Sequence, residues 1–181
     1  MYLADITNYK NIGDWLYIVP AVIIVDLLVI FYIKYPGSSK GVKSINEWYT
    51  KFGITAVAAD VLSILIGIAA ARYIYTGLGL TEPIMFIVIL LLFQLAHDLF
   101  FGGAVINPIP KGHNQMIDVF KSYITEIGGK VLAVDSAMML GSVAIASVLK
   151  FLPDHYTVAK MLLASYAVCY VIYTRDPSEE K

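Results

Sequence analysis

Asp98 and His97 stand side by side inside the otherwise apolar run 94–108, QLAHDLFFGGAVINP. Three more aspartates lie in apolar settings of their own: Asp26 in VDLLVIFY, Asp60 in AADVLSILIG and Asp135 in AVDSAMMLG. Carboxylates so placed can hold protons or take a hard, oxygen-loving cation such as Mg²⁺ or Ca²⁺. They can also do general acid–base work, with Asp98 orienting the His97 imidazole. An ionised acid at the centre of a membrane helix costs roughly 2.5–3.5 kcal/mol. Four of them therefore need protonation, hydrogen bonds, water or a bound cation. Two acids in proximity cannot both ionise cheaply, and only His97 offers a positive charge at their depth. Gln94, one helical turn before Asp98, is a natural hydrogen-bonding neighbour. The candidate binding set is Asp26, Asp60, Gln94, His97, Asp98 and Asp135. No resident cofactor is implied beyond a proton or a divalent cation at this acidic layer.

The chain around these residues has 181 residues, 59% hydrophobic and 15% charged, with a mean hydropathy of +0.72. A soluble domain is nearer half apolar and a quarter charged. Several apolar segments reach the roughly 20 residues that a bilayer crossing requires. The expectation is an all-α, polytopic membrane helix bundle forming one domain over 1–181, with the lipid bilayer as its partner. A net charge of −1 gives no basic excess for nucleic acid. Cys169 is the single cysteine, so no internal disulfide can form. The first apolar stretch is too long for a cleavable signal peptide and carries Asp26.

Five spans are expected, at about 15–34, 52–75, 83–106, 128–151 and 156–173. Trp15 and Tyr17 at one end of the first span and Tyr32 and Tyr35 at the other fit anchoring at both headgroup levels. Pro36-Gly37 ends that span. SINEWYTK (44–51) reads as an interfacial turn of helix feeding the second span, and 116–127 as an amphipathic helix lying on the membrane surface. A stripe of Gly53, Ala56, Asp60, Ser63, Gly67 and Ala70 in the second span suits close helix approach, as does one of Ala133, Ala137, Gly141 and Ala144 in the fourth. Gly102-Gly103 fits helix approach or a kink rather than phosphate binding.

The hairpin 15–77 resembles the hairpin 83–151. A shift of 75 positions aligns Thr50, Gly53, Asp60 and Leu65 with Thr125, Gly128, Asp135 and Leu140. Asp26 and Asp98 are each followed by Leu, and by Pro ten positions on. A duplicated two-helix unit is expected, its halves parallel because two helices return the chain to its starting side. Nine of the thirteen Lys and Arg residues fall on the side of the longer loops and the C-terminal tail, which places the N-terminus outside and the C-terminus in the cytoplasm. All four acids then lie about 10–12 Å below the cytoplasmic surface. They are expected to converge on one cavity beside the loop 107–113.

The stretches VDLLVIFY, HDLFFGGAVINP and VDSAMMLG resemble the motifs of the family known as domain of unknown function 2177, small four-helix membrane proteins. The resemblance covers about residues 15–150 and implies that Asp26, Asp98 and Asp135 match that family's aspartates. It implies no activity.

Metal-hydrolase, Walker, nucleophile-elbow and lipid-phosphotransferase motifs are absent from the sequence. Three functions fit the residues. The leading one is a cytoplasm-facing acidic pocket that binds or translocates protons, cations or a small solute. The second is a membrane-embedded enzyme acting on a lipid or isoprenoid through His97 and Asp98. The third is a structural or assembly protein of a cellular or viral membrane. A homo-oligomer is compatible with each.

Overall fold

A computed structural model of the chain describes residues 5–35 and 42–174. The expected end of the first span at Pro36-Gly37, and Lys40, Arg175 and Lys181 of the nine cations counted on one side, lie outside the described residues. Among those described there is no strand. A 3-10 turn at Ile12–Asp14 leads into seven helices: α1 Trp15–Lys34, α2 Lys43–Phe52, α3 Ile54–Gly77, α4 Pro83–Phe100, α5 Gln115–Ile127, α6 Lys130–Leu149 and α7 Asp154–Val171. A π-helical segment, Phe101–Ile106, continues α4. Four stretches are long and apolar enough to cross a membrane: Ile12–Lys34, Ile54–Gly77, Pro83–Ile106 and Lys130–Leu149. The chain therefore reads as a multi-pass membrane protein.

The fifth expected span falls on α7. Its 18 residues are diluted by Asp154, His155 and Lys160, and it does not join the four by length and apolarity. It nonetheless runs beside α1 from end to end. The Tyr17 hydroxyl donates to Asp154 Oδ1 at 2.8 Å at one end, and Ile30 and Ile33 pack with Val168 and Ile172 at the other.

The main core gathers apolar side chains from α1, α3, α4 and α6, including Val22, Ile68, Leu90 and Met139, all fully buried. Gly67 lets Met139 approach closely: a Cβ at this position would stand 2.5 Å from Met139 Cε, and the end of that side chain would have to shift. The small stripe of α3 is thus buried at Gly53, Ala56 and Gly67. The stripe expected on α6 is not. Ala133, Ala137 and Ala144 are exposed, and α6 packs instead through Val131, Met139, Ser142, Val143, Ala146 and Leu149. Small size alone does not choose a packing face; between helices in lipid, association rests on van der Waals fit, and in α6 the larger side chains make that fit.

The surface helices α2 and α5 lie against each other across one end of the bundle. Trp48 and Phe120 meet edge to face with centroids 6.0 Å apart. Glu126, on α5, accepts from the Lys43 and Ser44 backbone N–H groups, each at 2.9 Å, and so caps the start of α2 from another helix. Each surface helix turns into its span through one glycine. Gly53 has φ 53 and ψ −129, and Gly128 has φ 61 and ψ −142. Both conformations are accessible to glycine and strained for other residues.

Candidate functional site

A cavity of about 910 Å³ opens between α3, the π-helical end of α4 and α6, roofed by α2 and α5. Asp60, Gln94, His97, Asp98 and Asp135 all line it, and among the described residues that line it none is Lys or Arg. Asp26 does not line it.

The acids are held in different ways. Asp60 faces the cavity from the second turn of α3, where α2 crosses above it. Its Oδ2 accepts from Trp48 Nε1 at 3.1 Å and from the Tyr49 hydroxyl at 2.9 Å. Asp98 is served from its own helix, because residues four apart share a face. Gln94 Nε2 lies 2.8 Å from both of its oxygens. Successive residues on a helix point about 100° apart, yet His97 Nδ1 reaches Asp98 Oδ1 at 3.2 Å. The imidazole is stacked between Phe93 and Phe101, with centroids at 6.5 and 5.7 Å, which fixes its plane. Asp135 lies within electrostatic reach of both Asp98 and Asp60.

The roof contributes two phenols that stay neutral. Burial, with Asp60 and Asp26 close by, raises the Tyr49 hydroxyl well above its ordinary value. Burial, with Asp135 and Asp60 close by, pushes Tyr123 up to about 12. Both remain proton donors across the physiological range. Asp26 stands apart from this polar lining. It is fully buried, and neither of its oxygens has a hydrogen-bond partner among the described residues. The Tyr49 hydroxyl is near enough to influence Asp26 but gives its hydrogen bond to Asp60.

Beside Asp98 the helix changes pitch. The Asn107 N–H donates to the Gly102 carbonyl at 3.0 Å, a bond spanning five residues. Such π turns recur at functional sites. Asn107, from the expected loop 107–113, lines the cavity, and so does Asn114. Among the described residues, no three His, Cys, Asp or Glu side chains come together as a set that could hold a metal ion.

Sequence reasoning missed the contribution of the surface helices. Trp48, Tyr49 and Tyr123 line the site, and Trp48 and Tyr123 are themselves 75 positions apart, a signal that was available. It also missed an ionic cluster at the opposite end of the bundle. Asp14 Oδ2 meets Arg72 Nη2 at 2.9 Å, and Asp14 Oδ1 meets Lys150 Nζ at 2.7 Å. Arg72 Nη2 also donates to the Asn8 and Asn11 carbonyls, at 2.6 and 3.0 Å. The guanidinium lies 5.3 Å from the Trp15 ring centroid. Two of the four cations counted for the outer side are thus tied to one buried carboxylate. No family model, curated protein or solved structure compared with this chain matches it.

Proposed function

We propose that this membrane protein uses its acidic layer to bind, and by binding to pass, protons or small cationic species. The observation that supports this reading is the common cavity of Asp60, Asp98 and Asp135, with Gln94 and His97, whose lining among the described residues contains no basic side chain other than histidine. Carboxylates inside a bundle without a fixed counter-ion favour a mobile positive charge. Asp26 belongs to the layer as a buried acid behind Tyr49 and Asp60. In the same reading the chain crosses the membrane five times, because α7 keeps company with α1 over its whole length. The Lys/Arg asymmetry puts the cavity on the cytoplasmic side. The hairpins are duplicated, a view supported by the like conformations of Gly53 and Gly128. Kinship with domain of unknown function 2177, through Asp26, Asp98 and Asp135, is part of the proposal and adds no activity.

The test is thermal stability at pH 5 and pH 8, with and without divalent cations, for the wild type and Asp98→Asn. This substitution keeps the shape of the side chain and removes its charge. The wild type is expected to respond to pH or cations and the variant to lose much of that response. Identical responses in both proteins reject the reading.

A second reading draws on the contact of His97 Nδ1 with Asp98 inside a largely apolar cavity: acid–base chemistry on a lipid or isoprenoid. Turnover of membrane-extract lipids, abolished by His97→Gln, would favour it.

A further inference from the structure

The acidic layer occupies only part of its cavity, and the rest bears on what enters. Around the acids stand aromatic rings: Trp48 from α2, Phe101 from the π-helical segment, and Phe120 and Tyr123 from α5. Phe120 is the hub, with ring centroids 6.0 Å from Trp48, 6.4 Å from Phe101 and 6.0 Å from Tyr123. Aromatic faces carry negative electrostatic potential and attract cations with apolar substituents. The lining then runs out along α3 and α4 to Leu62, Ile66 and Leu99, which are 56%, 60% and 62% exposed. These residues belong to two of the helices long and apolar enough to cross a membrane, so with those helices in a bilayer this end of the cavity faces lipid. A bare proton or metal ion needs neither the volume nor the aromatic wall nor a lateral mouth.

We infer that the cavity takes a lipophilic organic cation that enters from the bilayer. Its onium centre lies among Asp60, Asp98, Asp135 and the aromatic rings, and its apolar groups lie along Leu62, Ile66 and Leu99. Charge complementarity selects this occupant. Among the described residues the carboxylates are unopposed by Lys or Arg in the lining, so an anionic lipid headgroup would meet repulsion, and a neutral one would leave the carboxylates without a counter-ion. Asp135 illustrates the point: it faces the cavity with other acids near it and no hydrogen bond drawn to it among the described residues. This inference rests on the reading given under Proposed function and narrows its class of ligand.

The experiment uses the full chain in phosphatidylcholine nanodiscs, with tetraphenylphosphonium and tetraphenylborate as probes of like shape and opposite charge. Equilibrium dialysis measures binding above that of empty discs, and Trp48 emission reports occupancy, with Trp48→Phe as the control. Tetraphenylphosphonium is expected to bind saturably at one site and tetraphenylborate to show no saturable component. The combined Asp60→Asn, Asp98→Asn and Asp135→Asn variant should weaken phosphonium binding at least tenfold. If that variant does not fold, Asp135→Asn alone carries the comparison, with an expected weakening of at least threefold. Equal binding of both ions, no binding above empty discs, or an affinity indifferent to the acids overturns the inference. Its failure is distinguishable from failure of the broader reading. A pH or cation response that Asp98→Asn abolishes, without phosphonium binding, sinks the organic cation alone, whereas loss of both results sinks the two together.

Discussion

Asp14 and Arg72 are paired at 2.9 Å with side-chain exposures of only 1% and 0%, joining the start of α1 to the far end of α3. Arg72 Nε and Nη1 are also buried, without hydrogen-bond partners among the described residues. A guanidinium so enclosed depends on its one carboxylate. Removing that carboxylate leaves a buried charge uncompensated, which costs about 3–5 kcal/mol. Asp14→Ala should therefore destabilise the protein by that order, measured by denaturant titration in mild detergent. Adding Arg72→Met to it should restore much of the loss. Lys150→Met should cost less, because Lys150 is 26% exposed and water can serve in its place. Additive losses in the double variant would show that the pair is not coupled.

The two glycine junctions give a second expectation. A side chain at φ near +53 or +61 costs about 1–3 kcal/mol. Gly128→Ala should show that cost alone, since nothing stands within 4 Å of the added Cβ. Gly53→Ala should show a similar cost, because the exposed Tyr173 hydroxyl, 3.2 Å from the added Cβ, can move aside. Gly103→Ala, at ordinary φ and with open space around it, serves as the control and should be near neutral. Equal Tm values for the three variants would contradict this account of the junctions.

The sequence was most informative where interactions are local. Apolar length located the four spans, though it gave α7 as a fifth; helical periodicity set Gln94 against Asp98, and the amphipathic pattern found α5. What it did not reveal depends on distant partners. The Asp14–Arg72–Lys150 cluster joins residues 58 and 136 positions apart, and no periodicity connects them. The packing face of α6 was misjudged because small residues allow close approach without compelling it. Asp26 and Asp60 look alike in sequence, yet α2 passes over only one of them closely enough to give it two hydrogen bonds.

Glu126 offers a pH test outside the membrane. The Ser44 hydroxyl and the Ser44 and Lys43 backbone N–H groups hold its carboxyl below the ordinary glutamate value of 4.5. A group whose folded-state pKa is depressed contributes stability above its unfolded pKa and loses it as pH falls through the folded value. Glu126→Gln should thus lower Tm at pH 7. The gap from the wild type should narrow below about pH 4.5 and close once the wild-type carboxyl is protonated. A gap that stayed constant down to pH 3 would mean that the charge of Glu126 is not what caps α2.

Asp26 separates the needs of the fold from the needs of function. It is fully buried, and both of its oxygens lack partners among the described residues. An unsatisfied buried polar group costs roughly 1–3 kcal/mol, and within the apolar middle of α1 a leucine, with the same branching and number of heavy atoms, would not incur that cost. Asp26→Leu should therefore raise the unfolding free energy by about that amount. Asp26→Asn, which keeps polar atoms in the same place, should change it little. The acid would then persist at the expense of stability, as expected of a group retained for protonation or for its field on Asp60. Measuring cation or proton responses of both variants beside their Tm completes the test. Asp26→Leu that is more stable and still fully responsive would remove Asp26 from the working layer. Asp26→Leu that is destabilised by more than about 1 kcal/mol would show that the carboxyl has a partner on which the fold depends.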